Sequence, residues 1–506
     1  MKMAKKQSKS KTKQNPFLWL TPILLVIIAV AIIPLNLLLL QMPEWVSIII
    51  SCGILAAAVI MWIKLKRKRL GKIVISFFCL LGIALSLFGS YCNPYWNSII
   101  FYSDAAYWYC KEYDRELTFA QAKADLDYVM KYLKKLHPAF YEGIPAEIQR
   151  RYDDAVSAFE HADKITVNKV AQEIQSMCFL LGDAHTDIIM NYTDPRYMKY
   201  IYGHREAGDV LKGINGMTWE QLLDTSSFCH DKVSYEVKSY GKERLLRYIN
   251  TLQGLDYLGI SVKDGITYNY ETKDGEKIDR KVTEADFVTY EEYVKFNNIE
   301  NNTDKEYSFV SYEINKEKNA AVLTLDECNY NSEYINTVKK MFTEIKEQGI
   351  TNVAVDLRYN GGGSSLVANE FLRYIDVDSY KEWACDWRLG WFMFNIPQME
   401  TQNSKYEDLL FKGNLYLLTS TSTFSSAMCF AQYIKDNSIG TIIGEPSGNA
   451  PDSYGDITAF KLPNSGAAIQ MSTKKWYRID NIEGLIEPDI PCEEWEALDY
   501  FYKECE

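Results

Sequence analysis

Three apolar runs crowd the first ninety residues of this 506-residue chain, and no other feature limits its architecture so strongly. Phe17–Leu40, Trp45–Ile63 and Ile73–Ser90 hold 24, 19 and 18 residues, against the ~20 that a helix needs to cross the hydrocarbon core of a bilayer. A cleaved signal peptide fits poorly, because its apolar stretch is about 7–15 residues long and is not followed at once by another. Three transmembrane helices are therefore expected, forming a membrane anchor over residues 1–92; Pro22, Pro34 and Asn36 weaken the first run, and the alternative of two spans would put the body inside. Lys2, Lys5, Lys6, Lys9, Lys11 and Lys13 precede the first run, and Lys64, Lys66, Arg67, Lys68, Arg69 and Lys72 fill the second connection. Basic clusters of this kind stay in the cytoplasm. Gln41–Glu44 carries no basic residue and becomes the outer turn, so an odd number of spans would release everything after about Cys92 outside the cell. The expected localisation is thus the cell membrane, multi-pass, with the lipid bilayer as a partner and an extracytoplasmic body.

Charge separates head from body. The chain has 55 Lys and Arg against 67 Asp and Glu, a net −12, and 47% of it is hydrophobic, which excludes wholesale disorder and a nucleic-acid partner. Residues 1–72 hold twelve of the basic residues and a single acid, Glu44. Eleven cysteines contain no CxxC pair and no zinc-like Cys/His spacing, so no metal and no cofactor is expected. The apolar runs hold no ionisable residue, which leaves a transporter or channel without an ion path.

Three kinds of patterning follow the head. From Thr118 to Leu181 apolar residues recur at helical spacing, as in Ala122, Leu126, Val129, Leu133 and Leu136, a stretch that ends at His137-Pro138; a helical subdomain over residues 93–182 is expected. Residues 183–310 alternate short β-prone stretches with turns, such as Ile266–Thr272 before Lys273-Asp-Gly-Glu, and predict a β-rich, peptide-binding-like subdomain. Residues 311–506 then read as strand Ala320–Leu325, helix Tyr334–Gln348, strand Asn352–Leu357, helix Ser365–Tyr374, strand Asn414–Leu418, helix Ser425–Lys435 and strand Thr441–Ile443. This is an α/β layer arrangement.

Two turns in that last part carry chemistry. Asp356-Leu-Arg-Tyr-Asn-Gly361-Gly362-Gly363 follows a buried-looking strand, and its glycines let the backbone approach a ligand with N–H groups turned outward. No Gly-Lys-Ser/Thr follows, so it is not a phosphate-binding P-loop. In Leu417-Leu-Thr-Ser-Thr-Ser-Thr-Phe-Ser425-Ser426 a strand runs through hydroxyl residues into an apolar helix. A serine at such a junction either caps the helix or is held exposed as a nucleophile. A nucleophilic serine needs a base, and the histidines are His137, His161, His185, His204 and His230. His137 and His161 lie in or beside predicted helices, where packing or surface roles are expected. His185, in Leu180-Leu-Gly-Asp-Ala-His-Thr, lies at a turn into the β-rich part.

The ordered set Asp356-Leu-Arg-Tyr-Asn-Gly-Gly-Gly, Thr423-Phe-Ser-Ser-Ala, Ile443-Gly-Glu and Glu487-Pro-Asp-Ile resembles the tail-specific or C-terminal processing family of serine peptidases. Gly182-Asp-Ala-His-Thr is similar to the histidine element of its tricorn core-like branch. The resemblance covers most of residues 118–492. It implies a multidomain α/β fold built on a crotonase-like (ClpP-like) spiral peptidase core, with helical and β-rich additions. It places the nucleophile at Ser425, the general base at His185 and the orienting acid at Glu483, in competition with Asp480 and Glu487. The oxyanion hole falls on Gly361, Gly362 and Ser426. Ala450 stands where the other branch carries a basic lysine, and Ala184 stands where a helper serine sits beside the histidine.

The function implied is a membrane-anchored serine peptidase that hydrolyses peptide bonds of extracytoplasmic polypeptides through an acyl-enzyme on Ser425. The alternative is a catalytically inactive peptide-binding membrane sensor on the same scaffold. The segment Asp209–Met217 resembles the strand and turn with which the peptide-binding modules of these enzymes present a groove, but a simple β-hairpin is the better reading of Asn215-Gly216.

Overall fold

The computed structural model describes residues 23–28, 44–64, 112–190, 199–201, 210–218, 248–272, 274–296, 308–390 and 392–506, with isolated positions between them. The lysines of residues 2–13, the expected start of the body near Cys92, and His204 and His230 lie outside the described residues. The chain divides into two compact units, Met1–Ser103 with Leu389–Trp391, and Asp104–Arg388 with Phe392–Glu506.

The expected transmembrane helices are corrected in the first unit. Among the described residues, no helix is long and apolar enough to cross a membrane, which overturns the multi-pass placement. In the helix Glu44–Lys64, Leu55 and Ala58 are buried together with Val26, and the partly buried Cys79 packs against them. Some of the apolar surface is thus covered by protein.

In the second unit the central element is a six-stranded sheet. Its order is 490–491, 441–444, 414–419, 352–356, 320–325 and 310–315. Neighbours are parallel except at the 310–315 edge, which is antiparallel. Parallel strands covered on both faces are apolar throughout rather than alternating, as Val353-Ala-Val and Leu415-Tyr-Leu-Leu are. Val353, Val355, Leu415 and Leu417 pack with Val338, Phe342, Phe371 and Phe430 from helices Ser332–Gln348, Leu366–Leu372 and Ser426–Asp436. Ala354, Tyr416 and Leu418 point the other way, onto Phe501 of the C-terminal helix Ala497–Glu504. The period of two along each strand sorts the residues between the two layers.

Strands 352–356 and 414–419 pair in register, with Asp356 opposite Leu418. Parallel neighbours end at the same edge of the sheet, so the turns that leave them, the glycine turn and the serine turn, stand side by side. A second, five-stranded antiparallel sheet joins 187–189, 468–477, 384–389 and 392–396, with 453–461 also on 468–477. Pairing of Asp187 with Gln470 brings in the segment just after His185. The Ile266–Glu271 and Lys277–Val282 strands form the antiparallel hairpin expected from Lys273-Asp-Gly-Glu. Asn215 and Gly216, both at positive φ (54° and 76°), turn strand Val210–Ile214 into Met217–Thr218.

Helices Phe119–Leu136, Ala146–Glu160 and Val167–Phe179 share a core with Phe460, Ile469 and Met471 of the second sheet. Thr118 and Gln121 form a reciprocal cap at the start of the first helix. One buried carboxylate on that helix fastens it to the hairpin between strands 453–461 and 468–477. Asp125 accepts hydrogen bonds from Asn464 N–H (2.9 Å), Asn464 Nδ2 (2.9 Å) and Ser465 N–H (2.7 Å). Asp125→Ala leaves these donors without their acceptor and is expected to lower stability by about 3 kcal/mol, read as an earlier denaturation midpoint at unchanged slope.

Candidate active site

The glycine turn is rooted by an ion pair. Arg358 Nε and Nη2 donate to the two oxygens of Asp356 (2.9 and 2.7 Å), and Nη1 donates to Glu494 O (2.7 Å). This forked geometry fixes the loop as it leaves the strand. Asn360, fully buried, accepts Gly362 N–H at its Oδ1 (2.8 Å) and donates through Nδ2 to Leu325 O (2.8 Å). Its carbonyl accepts Phe424 N–H (3.0 Å), which sews the glycine turn to the serine turn. Close approach explains the glycine at 362. A Cβ there would fall 2.7 Å from Ser425 Cβ and 2.9 Å from both Phe424 O and Ser426 N.

The hydroxyl-rich approach to Ser425 is mostly scaffolding. Thr423 Oγ1 donates to Leu357 O (2.9 Å), Thr419 Oγ1 donates to Glu445 O (2.8 Å) and Ser420 Oγ donates to Arg358 O. Ser425 differs from its neighbours. It precedes helix Ser426–Asp436 with φ 54° and ψ −121°, and its side chain makes no capping hydrogen bond. Such a backbone costs a non-glycine residue of order 1–3 kcal/mol and persists only where its surroundings impose it. Here Ser425 N–H donates to Asn449 Oδ1 (2.8 Å) and Ser425 O accepts Cys429 N–H (2.9 Å). The capping reading of Ser425 is therefore not realised, and the hydroxyl is turned elsewhere.

It is turned toward His185. Ser425 Oγ and His185 Nε2 lie 2.9 Å apart although 240 positions separate them, and the imidazole packs against Phe424 at 5.0 Å between ring centres. Asp183, fully buried, accepts His185 N–H at Oδ1 (2.7 Å), and the same oxygen stands 3.9 Å from His185 Nδ1. Its other oxygen is 3.0 Å from Nε2 of His137, also fully buried. His137 Nδ1 accepts Ala139 N–H (3.2 Å), so Nε2 carries the proton and donates to Asp183. Burial pushes the Asp183 carboxyl up, but the His137 hydrogen bond, the two imidazoles and the Thr186 hydroxyl outweigh it and hold Asp183 down at about 2.

The other residues named from the sequence fall as follows. Glu483 is exposed and makes no hydrogen bond or ion pair with His185. Asp480 pairs with Lys381, and Glu487 is exposed. Ser426 N–H opens a helix and has no intrahelical acceptor, and it faces Gly362, whose own N–H is taken by Asn360. Lys435 pairs with Asp489, Lys474 with Asp456, and Lys475 lies over Tyr454 and Tyr477; none of them bonds Ser425. Asp183 and His137 were not singled out as site residues from sequence. An Asp two positions before a His in a turn is nevertheless a local signal, since such a carboxylate commonly accepts the N–H two residues on.

Residues 319–492 match the model of peptidase family S41. No curated protein matches the chain. Among solved structures, mature CPAF complexed with lactacystin is similar over 76% of this chain and 96% of its own, with 12% identity and a TM-score of 0.52. Mature CPAF is similar over 76% and 95%, with 12% identity and a TM-score of 0.51. A photosystem II D1 C-terminal processing protease aligns over 76% and 97%, with 12% identity and a TM-score of 0.40.

The depressed Asp183 carboxyl makes stability depend on acid. A group held at about 2 when folded, against about 3.9 unfolded, contributes its full stabilisation above pH ~4 and loses it as pH falls from 4 to 2, ~3 kcal/mol in all. Asp183→Asn is expected to be less stable at pH 7 and to show a shallower decline across that window, checked by denaturant unfolding at a series of pH values.

Proposed function

We propose that this chain, whose residues 319–492 match the model of peptidase family S41, is a serine peptidase that hydrolyses peptide bonds of peptide or protein substrates through an acyl-enzyme on Ser425, with His185 as general base. The observation that carries the reading is the 2.9 Å approach of Ser425 Oγ to His185 Nε2, made by a serine at positive φ that caps nothing.

Ser425 Oγ attacks the scissile carbonyl carbon while its proton passes to His185 Nε2, giving a tetrahedral oxyanion and an imidazolium. Collapse breaks the C–N bond as His185 returns the proton to the leaving amine. Water, deprotonated by the same imidazole, then releases the acyl group. Asp183 supports the imidazolium by charge and holds the turn through the His185 N–H. A full charge at 3.9 Å is worth about 4 kcal/mol at an effective dielectric near 20. This favours Asp183 over the exposed Glu483 as the acid of the site. Ser426 N–H, with an N–H of the glycine turn, receives the oxyanion. An inactive peptide-binding role is disfavoured, since a scaffold without turnover has no need of a strained serine set against an imidazole.

Ser425→Ala and His185→Ala are each expected to lower kcat by ~10⁶-fold in protein with an unchanged circular dichroism spectrum, measured on a fluorogenic peptide. Lys435→Ala, Lys474→Ala and Lys475→Ala are expected to retain activity; dependence on one of these lysines with indifference to His185 would replace the base.

A further inference from the structure

We infer that Asn449 is a positioning residue for the nucleophile: its side-chain carbonyl holds the Ser425 backbone in the conformation that presents the hydroxyl to His185, and so decides which amides remain to bind the oxyanion. The inference rests on the peptidase reading and concerns the same site. Asn449 is fully buried, and its Oδ1 accepts Ser425 N–H at 2.8 Å. Its Nδ2 donates to Ala450 O at 3.1 Å. The two partners fix the orientation of the amide, because a flipped side chain would face donor with donor.

Asn449 is itself clamped onto the serine turn. Gly448 N–H donates to Thr423 O (2.9 Å), and a Cβ at Gly448 would fall 2.1 Å from Thr421 O, so only glycine lets this segment lie so close. Ser447 Oγ donates to Asn449 O (2.9 Å) and accepts Ile486 N–H (3.1 Å), while Ser447 N–H donates to Ile486 O (3.1 Å). Rigid support of this kind is what precise placement of a reacting group requires.

The consequence concerns the oxyanion. With the N–H of Ser425 consumed by Asn449 and that of Gly362 by Asn360, neither points at substrate. Ser426 N–H therefore serves with Gly361 or Gly363, and their alignment depends on how Ser425 is held. Without Asn449 the Ser425 peptide is freed to rotate, which displaces the hydroxyl and the Ser426 amide together. Substrate contacts away from the reacting carbonyl stay as they were.

The test compares the parent with Asn449→Ala and Asn449→Ser, folding being checked by thermal denaturation. Serine is too short to reach Ser425 N–H but keeps a polar group in the cavity, so it serves if alanine prevents folding. Both variants are expected to lose about 10²-fold in kcat at a KM within about twofold, with a parallel fall in the rate at which a fluorophosphonate labels Ser425. A folded variant with kcat near that of the parent, or a loss confined to KM, would overturn the inference. A parent that neither turns over peptide nor reacts at Ser425 would instead remove the peptidase reading itself.

Discussion

The site depends on the parallel pairing of strands 352–356 and 414–419, which sets Asp356 beside Leu418. Two chain segments then leave the sheet at the same edge, and everything chemical is arranged by how closely they approach. The absent side chain at Gly362, with Ser425 Cβ, Phe424 O and Ser426 N within 3 Å of where it would be, is the tightest part of that arrangement. Asn360 locks one turn to the other, and Asn449 locks the serine from the opposite side.

The histidine comes from a different part of the fold. The antiparallel pairing of Asp187 with Gln470 and the packing of three helices against the same sheet deliver the Gly182–Thr186 turn to the serine. Asp183 is the hub of that delivery, since it takes the His185 N–H with one oxygen and His137 with the other. A buried carboxylate needs such partners to stay ionised, and the same partners fix where the imidazole of His185 stands.

Much of the core was legible because its signals are local. The strand–helix succession from Ala320 to Ile443 appears with shifts of one or two residues at the ends, since buried parallel strands and amphipathic helices have distinct patterns. The approach of His185 to Ser425 could be suspected only from motifs taken in order, because no periodicity relates positions so far apart. Burial was the illegible quantity. His137 read as a packing or surface residue at a helix end, with nothing to choose between them, and it is a fully buried partner of Asp183. Glu483 read as the orienting acid, yet it is exposed. The dihedral angles that separate a capping serine from a presented one depend on Asn449 and Gly362, both remote in sequence. The membrane expectation rested on length, hydropathy and flanking basic residues, and among the described residues no helix is long and apolar enough to cross a membrane.

Site-localised phosphonylation tests the central claim most directly. The intact chain is treated with a fluorophosphonate, digested with trypsin and mapped by mass spectrometry. The account predicts one adduct, on Ser425 within the peptide Gly413–Lys435, formed in the parent and lost in His185→Ala. An unmodified Ser425 in folded parent protein, or labelling of Ser425 that is indifferent to His185, would contradict it.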